Sequence, residues 1–252
     1  MNPRIGIIGA GMVGGTLKGW FTDAKIWDKY KKTPDKREEV LEQDIIFICI
    51  YLEKNGMDEK EFKTVCEILD DVLPNRIIIN KMTTVPGFTD RLAKKYPRLK
   101  FFHNPEFLTE ASSDKDFRNP PFQILGHTGN VDDALMLFNL LPASMITRVI
   151  SAKESELFKM VRNAFLASKV VLANQVYDLC QKIDVRYDAL ADLFKFDQWI
   201  GGSHTQIWHK GYRGYGGKCL PKDIHLLMEF SKKNNVRQKV FETIERVNKE
   251  LQ

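Results

Sequence analysis

The hexapeptide Gly9-Ala10-Gly11-Met12-Val13-Gly14 constrains this chain more than any other stretch. It follows a short apolar run, residues 4–8, and leads into a helical stretch reaching about residue 21. Residues 25–27 then read as a second strand that ends at Asp28. Strand, glycine turn, helix, strand and acid in that order predict a βαβ unit that holds a dinucleotide. Gly9 permits the tight turn, Gly11 lets the backbone approach a pyrophosphate, and Gly14 lets the helix pack on the strand. Met12 and Val13 complete the expected cofactor-binding set. Asp28, about 20 residues past the first glycine, is placed to accept from both ribose hydroxyls. An acid there repels a 2′-phosphate and favours NAD over NADP; Lys29, Lys31 and Lys32 argue the other way. The alternative is a tight strand–helix turn with no ligand.

Strands and helices keep alternating after this unit. Residues 44–50, D-I-I-F-I-C-I, form a continuous apolar run of the kind buried on both faces of a parallel sheet. Further strands are expected at 76–80, 99–103, 123–125 and 147–150, with helices at 60–73, 89–96 and 131–141. The fold class is therefore α/β: a Rossmann-like, doubly wound domain over residues 1–151. Residues 152–252 read as an all-helical domain built on one long helix. From 152 to 183 there is no proline or glycine, and Leu157, Phe158, Val161, Phe165, Leu166, Val170, Leu172, Val176, Leu179 and Cys180 recur at helical spacing. Such a helix is expected to be buried on more than one side and to offer the surface of a homodimer.

Two polar loops follow predicted strands, where ligands bind in open α/β sheets. One is Lys81-Met-Thr-Thr84-Val-Pro86 and the other Asn104-Pro-Glu106-Phe107-Leu108-Thr-Glu110. If a helical turn follows Pro105, Glu106 and Glu110 share a face, and paired carboxylates raise one pKa toward the range of a general base. Helix-capping acids are the alternative. On the long helix Glu156, Lys159 and Asn163 form a polar strip. A buried lysine there either pairs with Glu156 or points into a site.

The stretch Gly214-Tyr-Gly216-Gly-Lys218-Cys219-Leu-Pro221-Lys222-Asp223 carries the second set of candidates. Pro221 fits the first position of a helix. Cys219 then sits just before a helix N-terminus, flanked by lysines, and both influences lower a thiol pKa. Asp223 falls in the first turn, where it can hold a water or a lysine. The alternative is a glycine loop with a small buried cysteine.

These motifs resemble the UDP-glucose/GDP-mannose dehydrogenase family, whose patterns run roughly K-S-T-V-P, N-P-E-F-L-x-E-G, E-x-x-K-x-x-x-N and G-F-G-G-S-C-F-P-K-D. The resemblance implies that Thr84 and Glu106 line an active site and that Glu106 helps water attack a covalent intermediate. It implies that Lys159 stabilises developing oxyanions, Asn163 orients substrate or water, and Cys219 is the nucleophile, with Asp223 holding water. Glu110, Phe107, Leu108, Gly216 and Lys222, with Lys159 and Asn163, are the implied substrate-binding residues. The implied reaction is NAD-dependent oxidation of a nucleotide-sugar alcohol to a carboxylate. Several positions depart from the pattern: Ala111 for glycine, Ile50-Tyr-Leu-Glu53 for V-P-T-P, and Trp199 where D-x-R-I-G places a substrate-binding arginine. The chain also stops where family members continue into a third, nucleotide-gripping domain.

Bulk properties agree with this class. A net charge of +5 over 252 residues suits an anionic ligand and does not mark a nucleic-acid binder. The four cysteines form no C-x-x-C pair and read as thiols in a reducing, cytoplasmic setting. No signal peptide or membrane span is expected. His204, His209 and His225 fit no standard metal spacing, so no metal is expected. Two alternatives stay open: a two-electron dehydrogenase that uses Lys159 and Asn163 without the cysteine, and a short member that binds NAD but is inactive alone or takes a smaller substrate.

Overall fold

The structure is a computed structural model that describes residues 2–109, 112–217 and 219–252. The chain divides into two compact units, Met1–Lys159 and Met160–Gln252.

In the first unit, β1 (Ile5–Ile8) leads into α1 (Met12–Trp20), and β2 (Lys25–Trp27) into α2 (Arg37–Leu41). Then come β3 (Ile45–Ile48), α3 (Glu59–Leu69), β4 (Ile77–Asn80) and α4 (Phe88–Lys95). β5 (Lys100–His103), α5 (Ser113–Arg118), β6 (Gln123–His127), α6 (Ala134–Leu140) and β7 (Thr147–Ser151) complete the unit. The strands form one seven-stranded sheet in the order β2-β1-β3-β4-β5-β6-β7. The order reverses between β1 and β3, the switch point at which such sheets take nucleotides beyond the strand C-termini.

Every residue of β1, β3 and β4 is buried, as their unbroken apolar runs require of strands covered on both faces. Ile7, Leu17, Phe47, Ile79, Phe102 and Leu125 form the centre of the core. The sheet is parallel except between β5 and β6, which run antiparallel. The intervening segment 104–122 carries only a six-residue helix among its described residues.

The second unit takes up most of α7 (Ala152–Lys182) and adds α8 (Tyr187–Phe196), α9 (Leu220–Lys233) and α10 (Lys239–Leu251). Its core gathers Ala173, Cys180, Tyr187 and Ile207, with Val176, Tyr177 and Leu190 packed against them.

The 31-residue α7 corrects one expectation. It is not buried on several sides. Ala152, Ser155, Glu156, Lys159, Met160, Asn163, Ala164 and Ala167 are buried at three- and four-residue spacing, whereas Leu157, Phe158, Val161, Phe165, Leu172 and Leu179 are exposed. Most of the apolar stripe thus faces outward, Val170 and Cys180 excepted, and small and polar residues make up most of the inward face. Among the described residues no helix is long and apolar enough to cross a membrane.

Candidate functional site

The glycine turn is built as its spacing requires. Gly9 has φ +100°, and a Cβ there would lie 2.7 Å from the Cys49 carbonyl oxygen. A Cβ on Gly14 would overlap the Gly9 carbonyl, so only glycine lets α1 pack this close to β1. At Gly11 nothing lies within 4 Å of where a Cβ would stand. Gly11 is also the N-cap of α1 and makes no side-chain cap, which leaves the first-turn amides to an anionic ligand. Met12 is exposed at this end, and Val13 packs against the core.

Asp28 is tied to the turn. Its Oδ2 accepts from the Ala10 N–H at 2.7 Å, and its Oδ1 accepts from the Tyr30 and Lys31 N–H groups. Burial raises its pKa, but the three N–H donors outweigh that and hold it below the usual carboxylate range. Lys31 reaches across to donate to the Ala10 carbonyl at 2.8 Å. Open backbone at Gly11, uncapped amides and a fixed carboxylate fit an adenine dinucleotide with unmodified ribose hydroxyls.

The loops after β4 and β5 bring a second cluster together in the same unit. Lys159 Nζ donates to the Glu106 carboxylate at 3.0 Å and to the Glu106 carbonyl at 2.5 Å. Their side chains are only 6% and 13% exposed. Burial pushes the Glu106 carboxyl up, but the Lys159 charge, the Leu108 N–H and the Lys81 charge pull it down further, and the net shift is downward. This corrects one expectation: Lys159 does not pair with Glu156 along the helix. The expected pairing of Glu106 with Glu110 falls outside the described residues. Residues 104–109 form no helical turn after Pro105. Glu110 lies outside the described residues, as does Lys218. Phe107 packs on Phe122 and Phe158, with the Lys159 ammonium 5.3 Å from its ring centre. Leu108 packs against the core and gives its N–H to Glu106.

Thr84 is fully buried and donates to Glu156 Oε1 at 3.2 Å. Lys81, at the C-terminal end of β4, is a buried cation that sequence reasoning did not single out. Its Nζ donates to Asn104 Oδ1 at 2.7 Å, and burial lowers its pKa to about 8. Burial likewise lowers His103, which contacts Ser155, to about 3, so that ring is neutral. The only signal for these groups was a polar residue at or just past the end of an apolar strand.

Within the second unit, Asn163 Nδ2 donates to Asp223 Oδ2 at 2.6 Å, and Lys222 Nζ lies 3.8 Å from the same carboxylate. Asp223 is buried in the first turn of α9. The helix begins at Leu220, one residue earlier than expected, which makes Cys219 the N-cap and puts Pro221 second. Cys219 is exposed, not a buried filler. Gly216 lies against the Tyr212 ring, whose hydroxyl a Cβ would approach to 2.7 Å. Trp199 is 88% exposed. Among the described residues no group of three or more His, Cys, Asp or Glu side chains is gathered to hold a metal.

Comparison with known proteins places this geometry. Among curated proteins the chain is 29% identical over 233 residues to the UDP-glucose 6-dehydrogenase of Rickettsia conorii, covering 88% of this chain and 53% of that protein. It is 26% identical over 239 residues to the GDP-mannose 6-dehydrogenase of Pseudomonas putida, covering 87% and 54%. The chain therefore spans about half the length of the curated relatives it matches. A UDP-glucose dehydrogenase from Pyrobaculum islandicum superimposes with a TM-score of 0.81 at 21% identity, over 99% of this chain and 68% of that one. A 3-hydroxyisobutyrate dehydrogenase from Mycobacterium tuberculosis superimposes with a TM-score of 0.76 at 13% identity, over 97% and 91%. At those identities the structural likeness shows the fold alone. Residues 16–137 match the NAD binding domain, and residues 153–250 the central domain, of a single family. The chain belongs to the UDP-glucose/GDP-mannose dehydrogenase family.

Proposed function

We infer that this chain carries the chemistry for NAD-dependent oxidation of the primary alcohol of a nucleotide-sugar to the carboxylate. The observation that carries the reading is the buried Lys159–Glu106 pair, which joins the family's lysine motif to its N-P-E-F-L loop. Residues 1–151 hold the dinucleotide in this reading, and residues 152–252 supply the nucleophile and the dimer surface. NAD, when bound, supplies the chemistry of hydride uptake in each of two oxidation steps.

The chain's own groups do the rest. The alcohol gives its proton to a water held by Asp223, Lys159 stabilises the developing oxyanion, and Asn163 orients the substrate. The Cys219 thiolate adds to the aldehyde carbon to give a thiohemiacetal, whose oxidation leaves a thioester. Water directed by Glu106 displaces the sulfur, providing the second carboxylate oxygen and returning the thiol. Two hydrides leave per alcohol. Thr84 is the proposed cofactor contact, and Phe107, Leu108, Gly216 and Lys222 are the proposed substrate contacts, with Glu110 outside the described residues. The reaction is cytoplasmic in this reading, in keeping with four reduced thiols.

Incubation with NAD and a panel of UDP- and GDP-sugars tests this, with NADH followed at 340 nm and the product identified by mass. NADH and a sugar acid from at least one donor are expected. NAD binding without turnover on any of them would instead support the second reading, a chain inactive alone or acting on a smaller substrate. Exposed Trp199, where the family pattern has arginine, favours that alternative. It cannot form the bidentate contact that a guanidinium makes with phosphate.

The outward apolar stripe of α7 is the proposed homodimer surface. Phe165, Leu172 and Leu179, spaced seven residues apart on one face, are between 58% and 65% exposed, the kind of apolar row that marks an interaction surface. Sedimentation should show a dimer at micromolar concentration that Phe165→Glu with Leu172→Glu converts to a monomer. A wild-type monomer would remove the proposal.

A further inference from the structure

Glu156 is a fully buried carboxylate with an unusual set of partners. Its Oε1 accepts from the Thr84 hydroxyl at 3.2 Å, the Thr89 N–H at 2.9 Å and the Thr89 hydroxyl at 2.6 Å. Its Oε2 accepts from the Gly87 N–H at 2.6 Å. Among the described residues it has no ion-pair partner. Four donors, all from residues 84–89, therefore converge on one side chain of α7. Asn80 ties the same loop from the other side: its Nδ2 donates to Thr89 Oγ1 at 2.9 Å and to Thr84 Oγ1 at 3.4 Å, and its Oδ1 accepts from the Met82 N–H.

The polarity of Thr84 follows from this arrangement. A hydroxyl has one hydrogen to give, and here Glu156 takes it. What Thr84 can offer a ligand is the one lone pair that Asn80 does not engage. We propose that Glu156 is a positioning residue: it orders the loop from Lys81 to Thr89 and fixes the Thr84 oxygen as an acceptor for an N–H or O–H donor of the bound cofactor or substrate. The inference rests on the proposed NAD-dependent reading for its ligand but not for the ordering of the loop.

Glu156→Gln is the discriminating change because it is isosteric. With its oxygen in the Oε1 place, glutamine keeps three of the four donors. Its amide N–H2 then faces the Gly87 N–H, and two donors meet with no acceptor between them. Burial holds the wild-type carboxyl near 7, although its four donors favour the charged form. A protonated Glu156 would face the same donor conflict at Oε2 that glutamine does.

Two measurements on the full chain decide the proposal. In hydrogen exchange without ligand, amides of Met82, Thr84, Gly87 and Thr89 in Glu156→Gln should exchange at least tenfold faster, with those of β4 unchanged. Unchanged loop exchange overturns the ordering role. In calorimetry with NAD, Glu156→Gln and Thr84→Ala should each weaken binding about five- to tenfold, and the double variant no more than the weaker single. Losses that multiply, or wild-type affinity in Glu156→Gln, overturn the action through Thr84. A wild-type chain that does not bind NAD sinks the parent reading, while the exchange experiment still decides the ordering of the loop. Equal melting temperatures for wild type and Glu156→Gln, within a few degrees, exclude general unfolding.

Discussion

Lys159→Met is expected to lower kcat about a thousandfold, near the upper end of what removing one preorganised oxyanion-stabilising group does. The substitution keeps the length of the side chain and its apolar stem, so packing against Phe107 survives while the charge goes. What remains is Glu106, 13% exposed, with its ion-pair partner missing. Breaking a buried pair from one side costs roughly 3–5 kcal/mol, because the desolvated charge stays behind. The pH dependence tells this apart from lost packing. In the wild type the Glu106 pKa is held below its ordinary value of 4.5. Its contribution to stability is therefore present above 4.5 and lost as pH falls through the depressed value. In Lys159→Met burial acts against only the weaker pull of Lys81 and the Leu108 N–H, and the pKa rises above the ordinary value. The sign then reverses: stability is greater in acid and falls as pH rises through the raised pKa. Chemical denaturation of both proteins at pH 5 and pH 7.5 should show the gap between them widening with pH. Parallel profiles would mean that Glu106 is not buried against Lys159, and an unchanged kcat would remove Lys159 from the reaction.

The parts of this molecule fixed by local backbone chemistry were readable without coordinates. Gly9, Gly14 and Asp28 are each forced by a short-range steric or hydrogen-bonding demand, and the turn appears where the spacing puts it. The continuous apolar runs of β1, β3 and β4 gave the sheet. The β5–β6 reversal was not readable, because direction depends on where the chain travels between strands and not on strand composition. Partner choice was not readable either. Spacing offered Glu156 as the partner of Lys159, but both point inward from α7 and each finds a donor or acceptor on a different loop. The outward stripe of α7 shows the limit of periodicity: it locates a helix face and says nothing of whether water or another chain covers it.

Cys219→Ser separates two-step oxidation from simple dehydrogenation, and its expected effect is the loss of acid formation by at least a thousandfold. The change should leave the fold intact. Cys219 is exposed and its side chain makes no capping bond to the first turn of α9, and serine is among the best residues at an N-cap. Stability should hold or rise slightly. The chemistry, by contrast, depends on ionisation. In the proposed reaction the sulfur at the N-cap of this 14-residue helix adds to the aldehyde as the thiolate. A serine hydroxyl in the same place stays protonated at neutral pH and adds poorly to an aldehyde. Lys159, Asn163 and Asp223 are untouched, so the alcohol still loses its first hydride. The variant should therefore form one NADH per sugar instead of two and release an aldehyde that hydroxylamine traps as an oxime. Two NADH per sugar with acid as product would show that sulfur takes no part. No NADH at all from a variant that binds NAD normally would mean that the cysteine acts before the first oxidation, a role for which a nucleophile attacking an aldehyde gives no reason.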